Sequence, residues 1–346
     1  MESLLSILNE ILETNSIKIV AEHLNVTVST IKRWQLLKNV PEQYRFDLMG
    51  FSSREIDYSQ FSFREKDQFF TADNVAKYCL DTFKKKLEEL GIEEEKFNYI
   101  EPSAGSGAFL KILPEERRIG LDIEPRDSEI VKADFLSWST DVTNNIVIGN
   151  PPFGLRGHTA LKFINHSSKF ADFVAFILPQ LFESDGKGTP RSRVEGLNLI
   201  HSEKIDSKFY DPNGKEIIVN TIFQIWAKNF SFIKNKSSCK QYIKIYSLSD
   251  GGSPASTRNK DMIGKCDIYI PSTCFGSDKM KVYSSFEDLP GKKGYGIVAL
   301  KENEKVIETL KTTDWVEKSF KSTNSAFNLR SSIIEEVLIN NNFEDV

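Results

Sequence analysis

The sequence predicts an α/β protein built on a doubly wound sheet, preceded by a small all-α unit and followed by a mixed unit. Three observations carry this. Short apolar runs, NYIEP, RIGLDIEP, NNIVIGNPPF and DFVAFILP, each end in turn chemistry and alternate with helix-period stretches such as AKYCLDTFKKKLEEL and TALKFINHSSKFA. Runs of this kind suit strands buried on both faces, the condition of a sheet covered by helices. The glycines, carboxylates and prolines of chemical interest all fall at the ends of these runs, where an open α/β sheet places its ligands.

Residues 1–55 read as short helices separated by polar turns: SLLSILNEILE, IKIVAEHLN and TVSTIKRWQLLKN, closing at Val40-Pro41. The middle has a helix-turn-helix look. Ala21 allows a close crossing, Leu24 and Val28 are apolar pins, and Ile31 and Trp34 share the buried face at i, i+3 spacing. That leaves Ser29, Thr30, Lys32 and Arg33 outward, on the face that enters a major groove in DNA-binding versions. A helical cap or a dimerisation unit shares the same pattern. The polar stretch from Phe51 to Phe63 suits a linker.

The sheet unit is assigned to 60–230. Its last part, KIDSKFYD and EIIVNTIFQIWAK around Pro212-Asn213-Gly214, predicts a terminal antiparallel hairpin. Residues 231–346 then change to short strands and polar loops and close on the helical SSIIEEVLIN, as expected of a separate carboxy-terminal domain. Between Lys234 and Lys293 basic residues outnumber acidic ones, with Tyr242, Tyr246, Tyr269, Phe275 and Tyr283 interleaved. This suits a surface for phosphates and bases, or a solvated face over core aromatics.

A length of 346 residues leaves room for two or three such units. A net charge of −4 argues against a protein that coats nucleic acid over its whole surface but permits local basic faces. Cys79, Cys239, Cys266 and Cys274 form no CxxC pair, and the four histidines do not flank them at zinc spacing, so no metal site and no disulfide is expected. No apolar run approaches a membrane span, and the acidic, amphipathic start lacks the marks of a secretion signal. The expected location is the cytoplasm.

The chemistry lies in three turns. In Tyr99-Ile100-Glu101-Pro102-Ser103-Ala104-Gly105-Ser106-Gly107 a strand meets a glycine turn, with a helix expected next; Gly105 and Gly107 let a ligand approach the backbone. A pyrophosphate site wants a third glycine where Leu110 stands, so no pyrophosphate is expected. Asp122 ends the next strand, where a carboxylate can accept from both hydroxyls of a ribose and Ile123 can pack on an adenine. Asp134 can accept from the adenine amino group, and Phe135 can cover the ring. In that order these residues describe a nucleoside site.

The third turn is Gly149-Asn150-Pro151-Pro152-Phe153-Gly154. Two prolines stiffen the backbone and remove amide donors, leaving the Pro151 carbonyl able to face a cleft. An exocyclic amino group is a poor nucleophile because its lone pair is delocalised into the ring. The Asn150 side-chain oxygen and the Pro151 carbonyl can hold both hydrogens and favour a pyramidal nitrogen aimed at an activated methyl. Phe153 can stack on the base, a contact worth about 1–3 kcal/mol.

EPSAGSGAF followed by LDIEP, ADF and NPPF resembles the amino-methyltransferases, and the order resembles the gamma class of N6-adenine DNA methyltransferases. Gln68-Phe69-Phe70-Thr71 with Val75-Ala76 is similar to the segment that precedes the cofactor strand in that family. The resemblance covers 68–229. It implies a Rossmann-like methyltransferase sheet, S-adenosylmethionine as cofactor and, in the carboxy-terminal domain 231–346, a target-recognition domain. It also implies that Phe70 and Thr71, with Glu101, Pro102, Ala104, Gly105 and Gly107, line the cofactor site. Asp122 would hold the ribose, and Asp134 and Phe135 the adenine. Asn150, Pro151, Pro152 and Phe153 would form the catalytic turn, and an aromatic of the terminal hairpin, Phe209 with Tyr210 close behind, would support a base flipped from double-stranded DNA. Such enzymes can stand beside a partner restriction endonuclease. Asn150 disfavours cytosine N4 as target and Phe153 disfavours protein glutamine, so DNA adenine ranks first and RNA adenine second. A DNA-binding regulator with an inactive methyltransferase fold is the competing class, but it would show a damaged motif. Lys187, Arg191 and Arg193, beyond FILP, are further candidates to clamp the strand.

Overall fold

In a computed structural model of the chain, the described residues are 3–24, 26–52, 54, 56–63, 65–186, 188–205, 208–230, 238–253, 256–321 and 325–345. They divide into two compact units, Met1–Asp141 with Ile148–His166 and Ser207–Val219, and Val142–Val147 with Ser167–Asp206 and Asn220–Val346.

The first unit opens with helices α1 (Leu4–Thr14), α2 (Ile17–His23) and α3 (Val28–Leu37). Each starts on a hydroxyl cap: Ser3, Ser16 and Thr27 accept from the amides of Ser6, Ile19 and Thr30. A fourth helix, α4 (Arg45–Phe51), follows a 3₁₀ turn after Pro41. The sequence pattern had the helices end at Pro41, because Gly50 and one short apolar repeat give α4 little signal of its own. Leu8, Val20, Ile31 and Leu48, one from each helix, share a buried core, and Trp34 packs on Tyr44 at 4.6 Å. The stretch expected as a linker is held instead: Phe46 lies 5.7 Å from Tyr58 and 4.8 Å from Phe61, ring to ring.

Next come β1 (Phe70–Thr71) and α5 (Asp73–Glu89), whose Val75, Ala76, Cys79, Leu80, Phe83 and Leu87 form one buried stripe. They are followed by β2 (Asn98–Glu101), β3 (Arg118–Asp122), β4 (Ile130–Lys132), β5 (Asn145–Gly149), α6 (His158–Ser167), β6 (Phe173–Pro179), β7 (Asn198–Ile205), β8 (Lys208–Tyr210), β9 (Glu216–Ile218) and β10 (Thr221–Ala227). Seven of these strands form the central sheet in the order β4-β3-β2-β5-β6-β10-β7. β2, β3 and β4 run parallel, and β10 is antiparallel to both its neighbours. The α/β class and the open, doubly wound order are those the apolar runs predict. β5 is buried throughout and β6 almost so, as strands covered on both faces must be. The order turns back between β2 and β5, so the turns leaving these two strands flank the switch point where such sheets bind ligands.

Two local expectations are corrected. The glycine turn after β2 leads to a 3₁₀ turn at Leu110–Ile112, not to an α-helix, because Pro114 leaves only six residues after Gly107 and disfavours helical backbone just before it. The single hairpin around Pro212-Asn213-Gly214 is two nested ones: the short β8–β9 pair closes at that turn and β8 pairs with β1, while the long pair is β7–β10, with β7 starting six residues before Lys204.

The second unit, which already holds β6, β7 and β10, continues with β11 (Ile243–Ser249), β12 (Ile268–Pro271), β13 (Thr273–Cys274), β14 (Lys293–Ala299), α7 (Asn303–Thr312), α8 (Trp315–Lys318), β15 (Phe320–Lys321), β16 (Phe327–Asn328) and α9 (Ser331–Ile339). They build two three-stranded sheets, β11-β14-β12 and β13-β16-β15. The segment after β6 is tied to them: Lys321 N donates to Gln180 Oε1 at 2.9 Å, Arg330 Nε to Ser184 Oγ at 2.9 Å, and Lys204 Nζ to the carbonyls of Glu317 and Ser319. The interleaved aromatics are largely core. Tyr242 and Tyr269 are buried, Tyr246 and Tyr283 half-buried, and Phe275 alone of the five is exposed.

Candidate functional site

The β2 turn is built around a buried acid. Glu101 Oε2 accepts from Leu110 N at 2.7 Å, and burial pushes its carboxyl well above the usual range, against the pull of the Leu110 and Phe109 amides. Asp122, at the end of β3, accepts from Gly105 N through Oδ2 and from Glu124 N through Oδ1, both at 2.8 Å. Gly105 stands at φ +54 with the Phe70 ring where a Cβ would be, 3.0 Å away. Phe70 also carries Arg126 on its face, 4.9 Å from the ring centroid. Asp134 caps its own 3₁₀ turn, accepting from Leu136 N and Ser137 Oγ. Phe135 is buried among Trp138, Phe163 and His166.

The β5 turn is fixed at both ends. Ser103 Oγ donates to the Asn150 carbonyl at 3.0 Å, and Ala160 N, in the first turn of α6, donates to the Phe153 carbonyl at 3.2 Å. Gly154, at φ +66, cannot be replaced, since an added Cβ would lie 2.8 Å from the Thr159 backbone nitrogen. Leu155 then packs against the core of the helical unit, His158 Nε2 meets the His23 carbonyl at 3.0 Å, and Lys162 pairs with Asp47 at 3.1 Å. The Asn150 side-chain oxygen is buried and, among the described residues, has no hydrogen-bond partner. A polar atom left in that state costs about 1–3 kcal/mol, which a hydrogen bond from a water or a ligand offsets.

Two small cavities, both open to solvent, meet at Asn150 and Phe69. One is lined by Phe70, Thr71, Glu101, Ala104 and Gly105, and Pro102, Gly107, Asp122, Ile123, Asp134 and Phe135 are not on its wall. Asp122 reaches that cavity through the Gly105 amide it holds. The other cavity brings Asn150, Pro151 and Phe153 together with Phe209, which the β1–β8 pairing delivers opposite Thr71; Pro152 stands outside it. Asp67 and Phe69 complete its wall; Phe69 is named from the sequence only as part of the Gln68-Phe69-Phe70-Thr71 segment, and Asp67 is not singled out at all. KDQFFT gives Phe69 an aromatic signal, but an acid in that stretch looks like any surface acid.

Away from the cavities, Ser29, Lys32 and Arg33 are exposed on α3, while Thr30 is half-buried and its hydroxyl is engaged by the Thr27 cap. Arg191 is turned back to the Glu183 carbonyl at 3.2 Å, and Lys187 lies outside the described residues. Among the described residues no helix is long and apolar enough to cross a membrane.

No family model matches the chain. It is 38% identical over 83 residues to the type II methyltransferase M.CvrRI of Paramecium bursaria Chlorella virus XZ-6E, a stretch that covers 20% of this chain and 22% of that protein. The chain thus spans about a fifth of the length of that relative. A solved structure from Pyrococcus horikoshii, named for an RNA methyltransferase, is 18% identical over 47% of this chain and 87% of its own, with a TM-score of 0.36. A type I restriction modification subunit from Vibrio vulnificus YJ016 is 10% identical over 68% of this chain and 59% of its own, with a TM-score of 0.34. Likenesses this remote fix neither fold nor substrate; the fold rests on the strand order above.

Proposed function

We propose that the chain transfers a methyl group from S-adenosylmethionine to the exocyclic N6 of adenine in DNA, with the target base turned out of the duplex. The observation that carries this is the Asn150 amide oxygen, a buried acceptor without a partner among the described residues, in the wall shared by two adjoining cavities. One cavity offers a nucleoside cofactor the turn after β2, whose Gly105 amide the strand-end carboxylate of Asp122 holds. S-adenosylmethionine would supply there a methyl carried on a sulfonium centre. Phe70, Thr71, Ala104 and Gly105 would hold that cofactor, with Asp122 fixing the turn.

The other cavity suits a flat heterocycle bearing an amino group. Phe153 offers aromatic surface, with the buried Phe209 behind the wall, and Asn150 Oδ1 and the Pro151 carbonyl offer two acceptors. Accepting both amino hydrogens would draw the nitrogen out of conjugation and direct its lone pair toward the first cavity. The proton lost after transfer needs no dedicated base, because the methylated ammonium is acidic enough to release it to water. Extrusion of a base costs a few kcal/mol, which contacts outside the cavity must offset. The relative with 38% identity, named a type II methyltransferase, supports this class of reaction.

The test is incubation with labelled S-adenosylmethionine and, separately, duplex DNA, RNA and protein, followed by nucleoside analysis. Label in N6-methyldeoxyadenosine is expected. Label confined to RNA or protein, or absent from all three, would refute the DNA assignment.

A further inference from the structure

The Asn150–Gly154 turn has its hydrogen-bonding groups divided unevenly, and the division traces to a residue far away in sequence. Pro151 and Pro152 carry no N–H, so the next two donors of the turn are the amides of Phe153 and Gly154. One carboxylate faces them: Asp67 Oδ2 accepts from Gly154 N at 2.7 Å, and the Phe153 amide draws the same carboxyl down. Ser103 has already engaged the Asn150 carbonyl. The acceptors that remain are Asn150 Oδ1 and, with no donor paired to it among the described residues, the Pro151 carbonyl, and both residues line the cavity assigned to the base.

Asp67 lines that cavity too and stands at φ +52. A left-handed backbone costs an ordinary residue about 1–2 kcal/mol, somewhat less for Asp, and persists only where surrounding contacts over-determine it. Here the contact is the carboxylate's hold on the turn. Burial raises the carboxyl above its usual range while the two amides draw it down, as expected of an acid enclosed for the sake of that hold.

We propose that Asp67 is a positioning residue for the methyl transfer: by occupying the Gly154 amide it holds the Asn150 and Pro151 oxygens and the Phe153 ring in place for the incoming base. The role in transfer rests on the function proposed above; the clamp itself does not. A displaced acceptor pair lowers the rate of the chemical step and leaves the binding of the separate cofactor cavity alone.

Two variants of the full chain test this, Asp67→Gly, which removes the carboxylate and relieves the left-handed backbone, and Asp67→Asn, which keeps an acceptor oxygen at the same reach. Amide hydrogen exchange over 150–157 and steady-state methyl transfer to duplex DNA are measured on both. Asp67→Gly is expected to stay folded, to lose protection at Gly154, and to lose about 10²-fold in kcat, the usual cost of about 1 Å of misplacement. Its affinity for S-adenosylhomocysteine should be unchanged, and Asp67→Asn should recover most of the protection and of kcat. Unchanged exchange in Asp67→Gly, or a kcat within about twofold of the parent, overturns the proposal. A parent protein that methylates no nucleic acid would instead sink the functional reading, and the exchange result alone would then decide the clamp.

Discussion

An amide oxygen buried without a partner is a cost the fold bears, so removing it separates stability from function. Asn150→Ala takes away the orphaned acceptor and leaves the β5 turn held by Ser103, Asp67 and Ala160. Thermal stability should therefore stay level or rise, by up to about 1 kcal/mol, because an unsatisfied buried group is lost. Turnover should fall by about 10²-fold or more, as when one fixed polar partner of a transition state is deleted. Affinity for S-adenosylhomocysteine, read by calorimetry, should move little. A variant keeping more than about a tenth of the rate would remove Asn150 from the acceptor role. At this scale the sequence was most legible where chemistry demands an unusual residue: the Asn-Pro-Pro-Phe order has few structural excuses. It was least legible where an ordinary residue acquires its part from a distant contact. Asp67 becomes a wall of the cavity through a bond spanning 87 positions, and Phe135, expected over a ligand ring, sits among core aromatics. Neither follows from neighbours in sequence.

Among the elements, the helix leading away from the β5 turn is fastened to the amino-terminal helices by Leu155, His158 and Lys162, and one of the partners titrates. His23 is pushed down to about 4, first by burial and then by the charge of Lys162, against its usual 6.5. Its ring packs edge-on to Phe51 at 4.5 Å, and its carbonyl faces His158. A histidine depressed in the folded state binds protons more readily once unfolded. The stability it contributes is therefore complete above pH 6.5 and is lost as pH falls from there to about 4. The helical unit should loosen in that window, seen as faster amide exchange in α2 and α4, and His23→Gln should flatten the response. A His23→Gln protein with the same acid limb as its parent would show that other groups set it. Elements with a sustained period were readable: β2, β3, β5 and β6 as apolar runs, and α5 as a stripe. Those that failed had competing local signals. Gly50 hid α4, Pro114 cut short the helix expected after Gly107, and the Pro212-Asn213-Gly214 turn drew attention to β8–β9 and away from β7, whose alternation starts at Asn198.

At the scale of the whole molecule, a chain of net charge −4 that is to hold DNA must do so through local basic faces, since its overall field repels phosphate. Lys32 and Arg33 are exposed side by side on α3, whose buried face, Ile31 and Trp34, is committed to the helical core. The sequence placed these residues outward from spacing alone, and the helix boundaries and burial agree with that placement. Whether a nucleic acid reaches them is a question of charge, and counterion release answers it quantitatively. Each phosphate neutralised contributes about 0.9 to the slope of log affinity against log salt concentration. Lys32→Ala with Arg33→Ala should therefore lower the magnitude of that slope by about 2, measured as duplex binding by fluorescence anisotropy over a salt series at fixed pH. The weakening should be nearly equal for different duplex sequences, because phosphate contacts position without specifying. A loss confined to one sequence would mean that these side chains read bases, and an unchanged slope would mean that α3 does not touch the duplex. In that last case the same salt series run on Lys279→Ala with Lys281→Ala, two exposed lysines of the second unit, tests whether the phosphate contacts the proposed reaction needs lie there.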